Sequence, residues 1–446
     1  MLVAFYFFAV NQKVLFPTPA NLFMLWQIPF VAGTIAAIDP SKNSDLKWLG
    51  IVLSGNLFFV IGCVISSLHS KFCAKKDYEE FLRKPLYFDL HSGGFLIMLV
   101  LGVLSLVISL YFAVAVGYYV PLEAALTYAD IGSLAASART YSNLRTAVYY
   151  GGEKYLAPGY VAQFKNILLP LVVYLLYFRV IVLKRCLERV ALAILSVVTI
   201  LLLSLTGQRY PVVLFGVMFT LLVYWQNREK LAALSSKALL FLTIGLVALY
   251  YCVSTFLMAR RITDYDIGVK SLFYPISELG RVLFSGARVQ LNIALYLFQV
   301  YSSPVWGQNW IRGLADLLPG HRIGFSQELH QLVYGSLRGS VGLGLWGEIW
   351  LNFGWIGVLF VPLLLGMAMQ RFTISFYRGK KTIIRTVVFI YAGWIISAFR
   401  SPVQLFSEGF VTLMLYYLLV NMVKHFENRR YPYRRDPEVH SLIMRS

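Results

Sequence analysis

The sequence predicts an all-α polytopic membrane protein that forms a single integral membrane domain over residues 1–446. Hydrophobic residues make up 58% of the chain and charged residues only 14%, and the mean hydropathy is +0.66. Soluble globular chains are typically ~45–50% apolar and ~25% charged. The apolar residues also gather in segments of about 20 residues, the length that a helix needs to cross a bilayer. The composition therefore excludes a soluble globular protein, and the abundance of aromatic residues excludes a disordered one.

Ten segments are long and apolar enough to be membrane spans, and residues 1–10 form an eleventh that is short for a span. The ten predicted spans cover residues 20–38, 48–68, 93–118, 161–183, 190–206, 211–226, 238–257, 346–370, 386–399 and 403–423. We therefore expect 10–11 transmembrane helices. No basic segment or small-residue cleavage site precedes the first span, so no cleavable signal peptide is predicted.

The distribution of basic residues sets the predicted orientation. The net charge of +19 would favour nucleic acid as a partner of a soluble protein. In a membrane protein, Lys and Arg instead collect in cytoplasmic loops and near anionic lipid headgroups. Alternating from the basic loop 69–92, every short loop agrees with one topology, in which 24 of the 40 basic residues are cytoplasmic. The lipid bilayer, and no nucleic acid, is the expected partner of this charge.

Two predicted extracytoplasmic loops, 119–160 and 258–345, are much longer than a connection requires. Long loops on a rigid scaffold usually carry function. The second loop contains six polar residues on one stripe of a predicted amphipathic helix, namely Glu278, Arg281, Ser285, Arg288, Asn292 and Gln299. This helix either lies on the membrane surface or dips into the membrane. Its stripe can contribute two arginines to a ligand site or can simply face solvent.

Eleven of the sixteen predicted external basic residues are arginines, whose planar side chains bind phosphate oxygens in pairs. The alternative is that they reach lipid headgroups or pair with external acids. Arg209 lies in a tight turn, Thr206-Gly-Gln-Arg-Tyr-Pro211, and Arg139 and Arg145 lie in the first long loop. Glu348 is placed at the start of a span, where a carboxylate is costly unless it is paired or used.

The remaining reactive residue types are few. Only His321 and His330 are predicted to be external, and the sequence contains no metal-binding motif and no phosphate-binding loop of the Walker type. The four cysteines have no paired spacing, so neither a disulfide framework nor a metal site is predicted.

Several motifs together resemble the bacterial oligosaccharide repeat-unit polymerases of the Wzy type. The motifs are Thr206-Gly-Gln-Arg-Tyr-Pro211, Glu278-Leu-Gly280, Trp306-Gly-Gln-Asn-Trp310, Leu317-Leu-Pro319 and Gly347-Glu-Ile-Trp-Leu-Asn-Phe-Gly-Trp-Ile-Gly357. The resemblance covers residues 200–370. Some members of that family carry an Arg followed eleven positions later by a Gly; here Arg139 is followed at that spacing by Tyr150, and Arg281 by Asn292.

The resemblance implies a GT-C-like fold in the bacterial inner membrane, with the active face in the periplasm. It implies a glycosyltransferase that joins oligosaccharide repeat units carried on undecaprenyl diphosphate into O-antigen or a related surface polysaccharide, without a metal or other cofactor. A chain-length regulator is a further expected partner. The diphosphate would be held by the candidate arginines Arg139, Arg145, Arg209, Arg281, Arg288 and Arg338. The base for the acceptor hydroxyl would be Glu348, His330 or Glu278.

Two other functions fit parts of the same sequence. An O-antigen ligase performs the same transfer with lipid A–core as the acceptor, and only the motif at 347–357 favours a polymerase over it. A flippase or other transporter of lipid-linked oligosaccharides should show broken helices near the membrane midplane and charges deep within its spans. Most charges in this sequence lie at the edges of the predicted spans, with Lys165 and Glu408 as the main exceptions.

Overall fold

The computed structural model describes residues 1–11, 16–85, 92–115, 164–204, most of 211–223, 287–315, 325–335, 342–397 and Leu418. All regular elements in these residues are helices. The first half contains α1 (Leu2–Phe5), a π-helix (Tyr6–Val10), α2 (Pro19–Ala37), α3 (Asn43–His69), α4 (Ala74–Arg83), α5 (Ser92–Ala115), a second π-helix (Phe164–Leu168), α6 (Leu169–Leu183) and α7 (Cys186–Ser204). The second half contains α8 (287–300), α9 (Gln308–Ala315), α10 (Phe325–Tyr334), α11 (Gly344–Arg378) and α12 (Ile383–Ser397).

Five helical stretches in the described residues are long and apolar enough to cross a membrane. They are Pro19–Ala37, Asn43–His69, Phe164–Leu183, Cys186–Leu203 and Gly344–Arg378. Helices α5 and α7 expose large apolar side chains such as Leu99, Val103 and Val197, as helices that face lipid do. The prediction of an all-α, multi-pass membrane protein is thus confirmed. The predicted span 238–257, the loop 119–160 and all of the span 403–423 except Leu418 lie outside the described residues.

Helices α3 and α11 form the central pair of the bundle and touch backbone to backbone. A Cβ atom at Gly62 would lie 2.1 Å from the carbonyl oxygen of Leu363, and one at Gly366 would lie 2.1 Å from that of Phe59. The Cys63 thiol and the Ser66 hydroxyl also donate to carbonyls of α11. Such small residues at a crossing are what allow membrane helices to approach closely when lipid supplies no hydrophobic driving force.

One end of this pair, which we call the basic end, is held by cations. Lys84 donates to the last carbonyls of α11, at 2.8 Å from Tyr377 O and 3.1 Å from Arg378 O. Arg378 in turn binds the Asp77 carboxylate, with Nε 2.7 Å from Oδ1. These bonds satisfy helix carbonyls that have no partner within the helix and place positive charge at the negative end of its dipole.

The sequence predicted only a loop at 69–92, but the structure contains helix α4 there. Phe81 of α4 packs against Phe376 and Tyr377 of α11, with ring centroids 4.7 and 5.6 Å apart. Phe16, which precedes α2, adds a further ring to this cluster. Aromatic side chains therefore attach the short amphipathic helix to the bundle.

Candidate functional site

Helix α11 is broken at Gly354, within the segment predicted as the single span 346–370. Gly354 has φ 62° and ψ −150°, a conformation that only glycine adopts readily. Helical hydrogen bonding would pair the Leu351 carbonyl with a backbone N–H beyond the break. That carbonyl instead accepts from Val305 N at 3.0 Å. Val305, in the segment after α8, thus supplies the donor that the interrupted helix lacks.

The chain reverses its direction along α3 at this break. In the part after Gly354, α11 and α3 run in the same direction: Leu363 lies at Gly62, and Gln370, seven residues later, bonds to Ser67. In the part before it, which we call the half-helix (344–353), Trp346 lies against Gly55 while Trp350 lies beside Lys47. Advancing four residues along the half-helix therefore moves the contact back by eight residues of α3, about 12 Å.

The half-helix begins at the middle of the bundle. The Trp346 indole donates to Gln27 Oε1 at 3.1 Å, and its ring lies within 2.6 Å of where a Cβ at Gly55 would stand. Gln27 and Gly55 are each one residue from the centre of their helices, α2 and α3. Irregular backbone at membrane depth is tolerated only where protein buries it or where it lines a cavity.

Glu348 is buried on this half-helix, with 4% of its surface exposed. The sequence placed it at the edge of a span. Because the chain reverses at Gly354, the half-helix begins inside the bundle. Glu348, two residues after Trp346, therefore lies close to the middle of α2 and α3. At 100° per residue, Gly344, Glu348 and Asn352 share one face, opposite the aromatic face of Trp346, Trp350 and Phe353.

Two side-chain amides with buried oxygen atoms adjoin this polar face. Asn352 is fully buried, and its Nδ2 donates to the Glu348 backbone carbonyl at 2.8 Å. A Cβ at Gly344, whose φ is +80°, would lie 2.3 Å from Gln290 Oε1. Neither Asn352 Oδ1 nor Gln290 Oε1 has a hydrogen-bond partner among the residues that the structure describes. Such acceptors are costly to bury unsatisfied, which makes this face a candidate for holding a polar ligand.

Helix α8 runs alongside the half-helix and is amphipathic, as its sequence predicts. Arg288, Asn292 and Gln299 are exposed, whereas Leu291 and Leu297 are buried. Gln290, which contacts Gly344, lies 200° around the helix from Arg288. The Arg288 side chain therefore projects away from the contact between α8 and the half-helix.

Lys47, at the start of α3, was not singled out by the sequence. Its ammonium lies 4.2 Å from the ring centre of Phe298 and 4.5 Å from that of Trp350. The two rings meet edge to face at 4.4 Å. A groove of about 530 Å³ adjoins this contact, and it is lined by Lys42, Asn43, Ser44, Asp45, Lys47, Leu295, Phe298 and Gln299.

His330 lies half-buried on α10, which joins the half-helix through α9. Arg312 of α9 pairs with Glu328 of α10, with Nη1 2.9 Å from Oε2. On its other side, α9 packs the Trp310 ring against Phe353 of the half-helix at 5.0 Å. His330 is therefore connected through two helices to Phe353, at the end of the half-helix, whereas Glu348 lies nearer its beginning.

Of the nine candidate site residues, the structure describes Glu348, His330 and Arg288. The other six, Arg139, Arg145, Arg209, Glu278, Arg281 and Arg338, lie outside the described residues. No group of three or more His, Cys, Asp or Glu side chains with metal-binding geometry occurs in the described part of the chain.

Comparison of the chain with protein-family models, with curated proteins and with solved structures finds no match.

Proposed function

We propose that this chain is a periplasm-facing glycosyltransferase that polymerises oligosaccharide repeat units carried on undecaprenyl diphosphate. The observation that carries the proposal is the burial of Glu348 on a half-helix that starts at the middle of the bundle. Ionisable residues at such a depth are rare in membrane proteins and typically mark functional sites. Glu348 also lies in the longest of the motifs that resemble the Wzy-type polymerases.

The distribution of charge supports the assignment of sides. The basic end, with Lys84, Arg378 and Lys381, fits the cytoplasm. The opposite end of α3, with the groove beside Lys47 and the end of the half-helix, then faces the periplasm. A lipid-linked glycan is accessible on that side. The enzyme would be an inner-membrane protein.

In the proposed reaction, Glu348 takes the proton from a hydroxyl of the acceptor sugar. The hydroxyl oxygen attacks the anomeric carbon of the donor, and the bond from that carbon to the diphosphate oxygen breaks. The leaving undecaprenyl diphosphate keeps the bonding electrons, and arginines neutralise its growing charge.

The proposed ligands of the diphosphate are Arg209, Arg281 and Arg338, with Arg139 and Arg145 reaching the site from the first loop. Arg288, whose side chain projects away from the half-helix, would meet the lipid headgroup earlier along its path. His330 and Glu278 are the alternative bases.

The test is complementation of a strain that lacks its polymerase, with lipopolysaccharide resolved on a gel. We expect Glu348→Ala, Arg209→Ala and Arg281→Ala to abolish the long ladder while the protein remains in the membrane. Glu80→Gln, an exposed carboxylate of α4 at the basic end, is the matched control and should keep the ladder. Long ladders in all three alanine variants would refute the assignment of these residues to the active site.

One observation favours a second function, the transport of lipid-linked oligosaccharides. The helix break at Gly354 and the buried side chain of Glu348 are features that transporters place near the midplane. The same gel separates the functions. Deleting a polymerase leaves a single repeat unit on the core, whereas deleting a flippase or an O-antigen ligase leaves the core bare.

A further inference from the structure

The groove beside Lys47 lies on the side of the half-helix away from Glu348. Trp350, whose ring contacts Lys47, is 200° around the half-helix from Glu348. A ligand in this groove is therefore not at the proposed reacting carboxylate. The residues that line the groove indicate which ligand chemistry fits it.

The charges of the groove nearly cancel. Lys42 pairs with Asp39 at 3.5 Å, and hydrogen bonds from the Ser41 hydroxyl and amide hold the pKa of Asp39 below its ordinary value. Asp45, which lines the same groove, offsets part of the positive charge of Lys42 and Lys47. A diphosphate carries several negative charges and would require a strong excess of cations. The lining residues that the structure describes do not provide that excess.

The lining instead offers a dense set of neutral donors and acceptors. Asn43, Ser44 and Gln299 are exposed and line the groove with an amide, a hydroxyl and a second amide. Leu295 and the edge of Phe298 supply an apolar floor. The aromatic pair also fixes the Lys47 ammonium, so this donor is held in place before a ligand arrives.

We infer that this groove binds a saccharide, whose hydroxyl groups match paired donors and acceptors and whose C–H faces match an apolar floor. The inference rests on the proposed function, since the saccharide would be a sugar of the lipid-linked glycan. The groove would hold that glycan at a distance from its reacting end. At about 530 Å³ the groove has the size of an ordinary small-ligand site.

The test measures binding separately from catalysis. The full-length protein in lipid nanodiscs is titrated with the oligosaccharide that mild acid releases from the surface polysaccharide of the source strain. Saturation-transfer difference NMR reports the bound fraction. We expect saturable binding that inorganic pyrophosphate does not displace. Gln299→Leu should weaken it about fivefold, the value of one or two neutral hydrogen bonds.

Asn292→Leu is the matched control. Asn292 is an exposed amide on the same stripe of α8, two turns before Gln299, and it does not line the groove. The inference is overturned if the wild-type protein does not bind the oligosaccharide, if both variants weaken binding equally, or if neither does. It is also overturned if pyrophosphate displaces the saccharide, which would make the groove a diphosphate site.

The outcome separates the groove from the proposed function. Complementation that fails while Gln299-dependent saccharide binding persists refutes the polymerase and leaves the groove as a saccharide site. If the wild-type protein restores the ladder but Gln299→Leu leaves saccharide binding unchanged, the assignment of the groove as a saccharide site is refuted and the polymerase proposal is not.

Discussion

Trp346 donates its indole N–H to Gln27 at 3.1 Å, a bond that attaches the half-helix to the centre of α2. Both residues are buried, and the Trp346 ring also meets Phe23 edge to face. The bond joins parts of the chain that are far apart in sequence. It thereby fixes the depth at which the half-helix begins, and with it the depth of Glu348.

Gln27→Leu should destabilise the protein by about 1–3 kcal/mol, because the buried indole N–H then has no acceptor. Thermal unfolding in detergent, followed by tryptophan fluorescence, measures the change. Asn292→Leu removes an exposed amide and should leave the unfolding temperature unchanged. Equal unfolding temperatures for both variants would show that the bond does not hold the half-helix.

Gly354→Ala should abolish the reversal of α11. The alanine would be strained by about 1–3 kcal/mol at this backbone conformation, and its Cβ would lie 3.0 Å from Pro304. We expect loss of the lipopolysaccharide ladder together with a lower unfolding temperature. Gly50→Ala is the control, because its Cβ would make an ordinary 3.6 Å contact with Trp355. A Gly354→Ala protein as stable and active as the control would contradict the assigned backbone conformation.

Gly62→Ala and Gly366→Ala should each destabilise the α3–α11 pair by about 1–3 kcal/mol, since each methyl group would collide with a backbone carbonyl. The two changes should not add, because either one already separates the same helices. The unfolding temperatures of the single and double variants test this expectation. Gly216→Ala should be neutral or slightly stabilising, because the new Cβ would meet no atom within 4 Å from the described residues outside its own stretch of helix. Additive losses would show that the two glycines act at independent contacts.

Asp77→Asn should loosen α4 from the basic end. The Asp77 carboxylate accepts from Arg378 and also from the Cys73 backbone N–H at 3.0 Å, so it both pairs with α11 and closes the first turn of α4. Hydrogen exchange in α4 should become faster, by about the tenfold that 1–2 kcal/mol of lost stability produces. Glu80→Gln changes an exposed carboxylate of the same helix and should leave exchange unchanged. If hydrogen exchange in α4 stays slow in both variants, Asp77 does not hold α4 to the basic end.

The sequence alone predicted the helices that lie at 19–37, 43–69 and 164–183, because hydrophobic runs of that length are sufficient to define spans. The amphipathic pattern of α8 also predicted which side chains are exposed, including Arg288 and Gln299. These features depend on residues that are close together in the chain.

The break and the groove could not be predicted because distant residues determine them. Gly354 lies in an apolar run beside Gly347 and Gly357, which remain helical. Among the described residues, contacts from Pro304 and Val305 distinguish it. Lys47 likewise gains its role from Phe298 and Trp350, on two other helices. A polar residue at a predicted span edge, such as Glu348, can therefore lie much deeper than hydropathy indicates.

The direction of the half-helix also has an electrostatic consequence. A straight α11 would present its N-terminal, partly positive end to the outside. Because the chain reverses at Gly354, that end lies at the centre of the bundle, one turn from the Glu348 carboxylate, and the partly negative end lies towards the Lys47 ammonium. Each charge thus faces the helix end of opposite sign, a contribution of about 0.3–1 kcal/mol apiece. Ten residues turned inwards act as a small oriented dipole within the bundle.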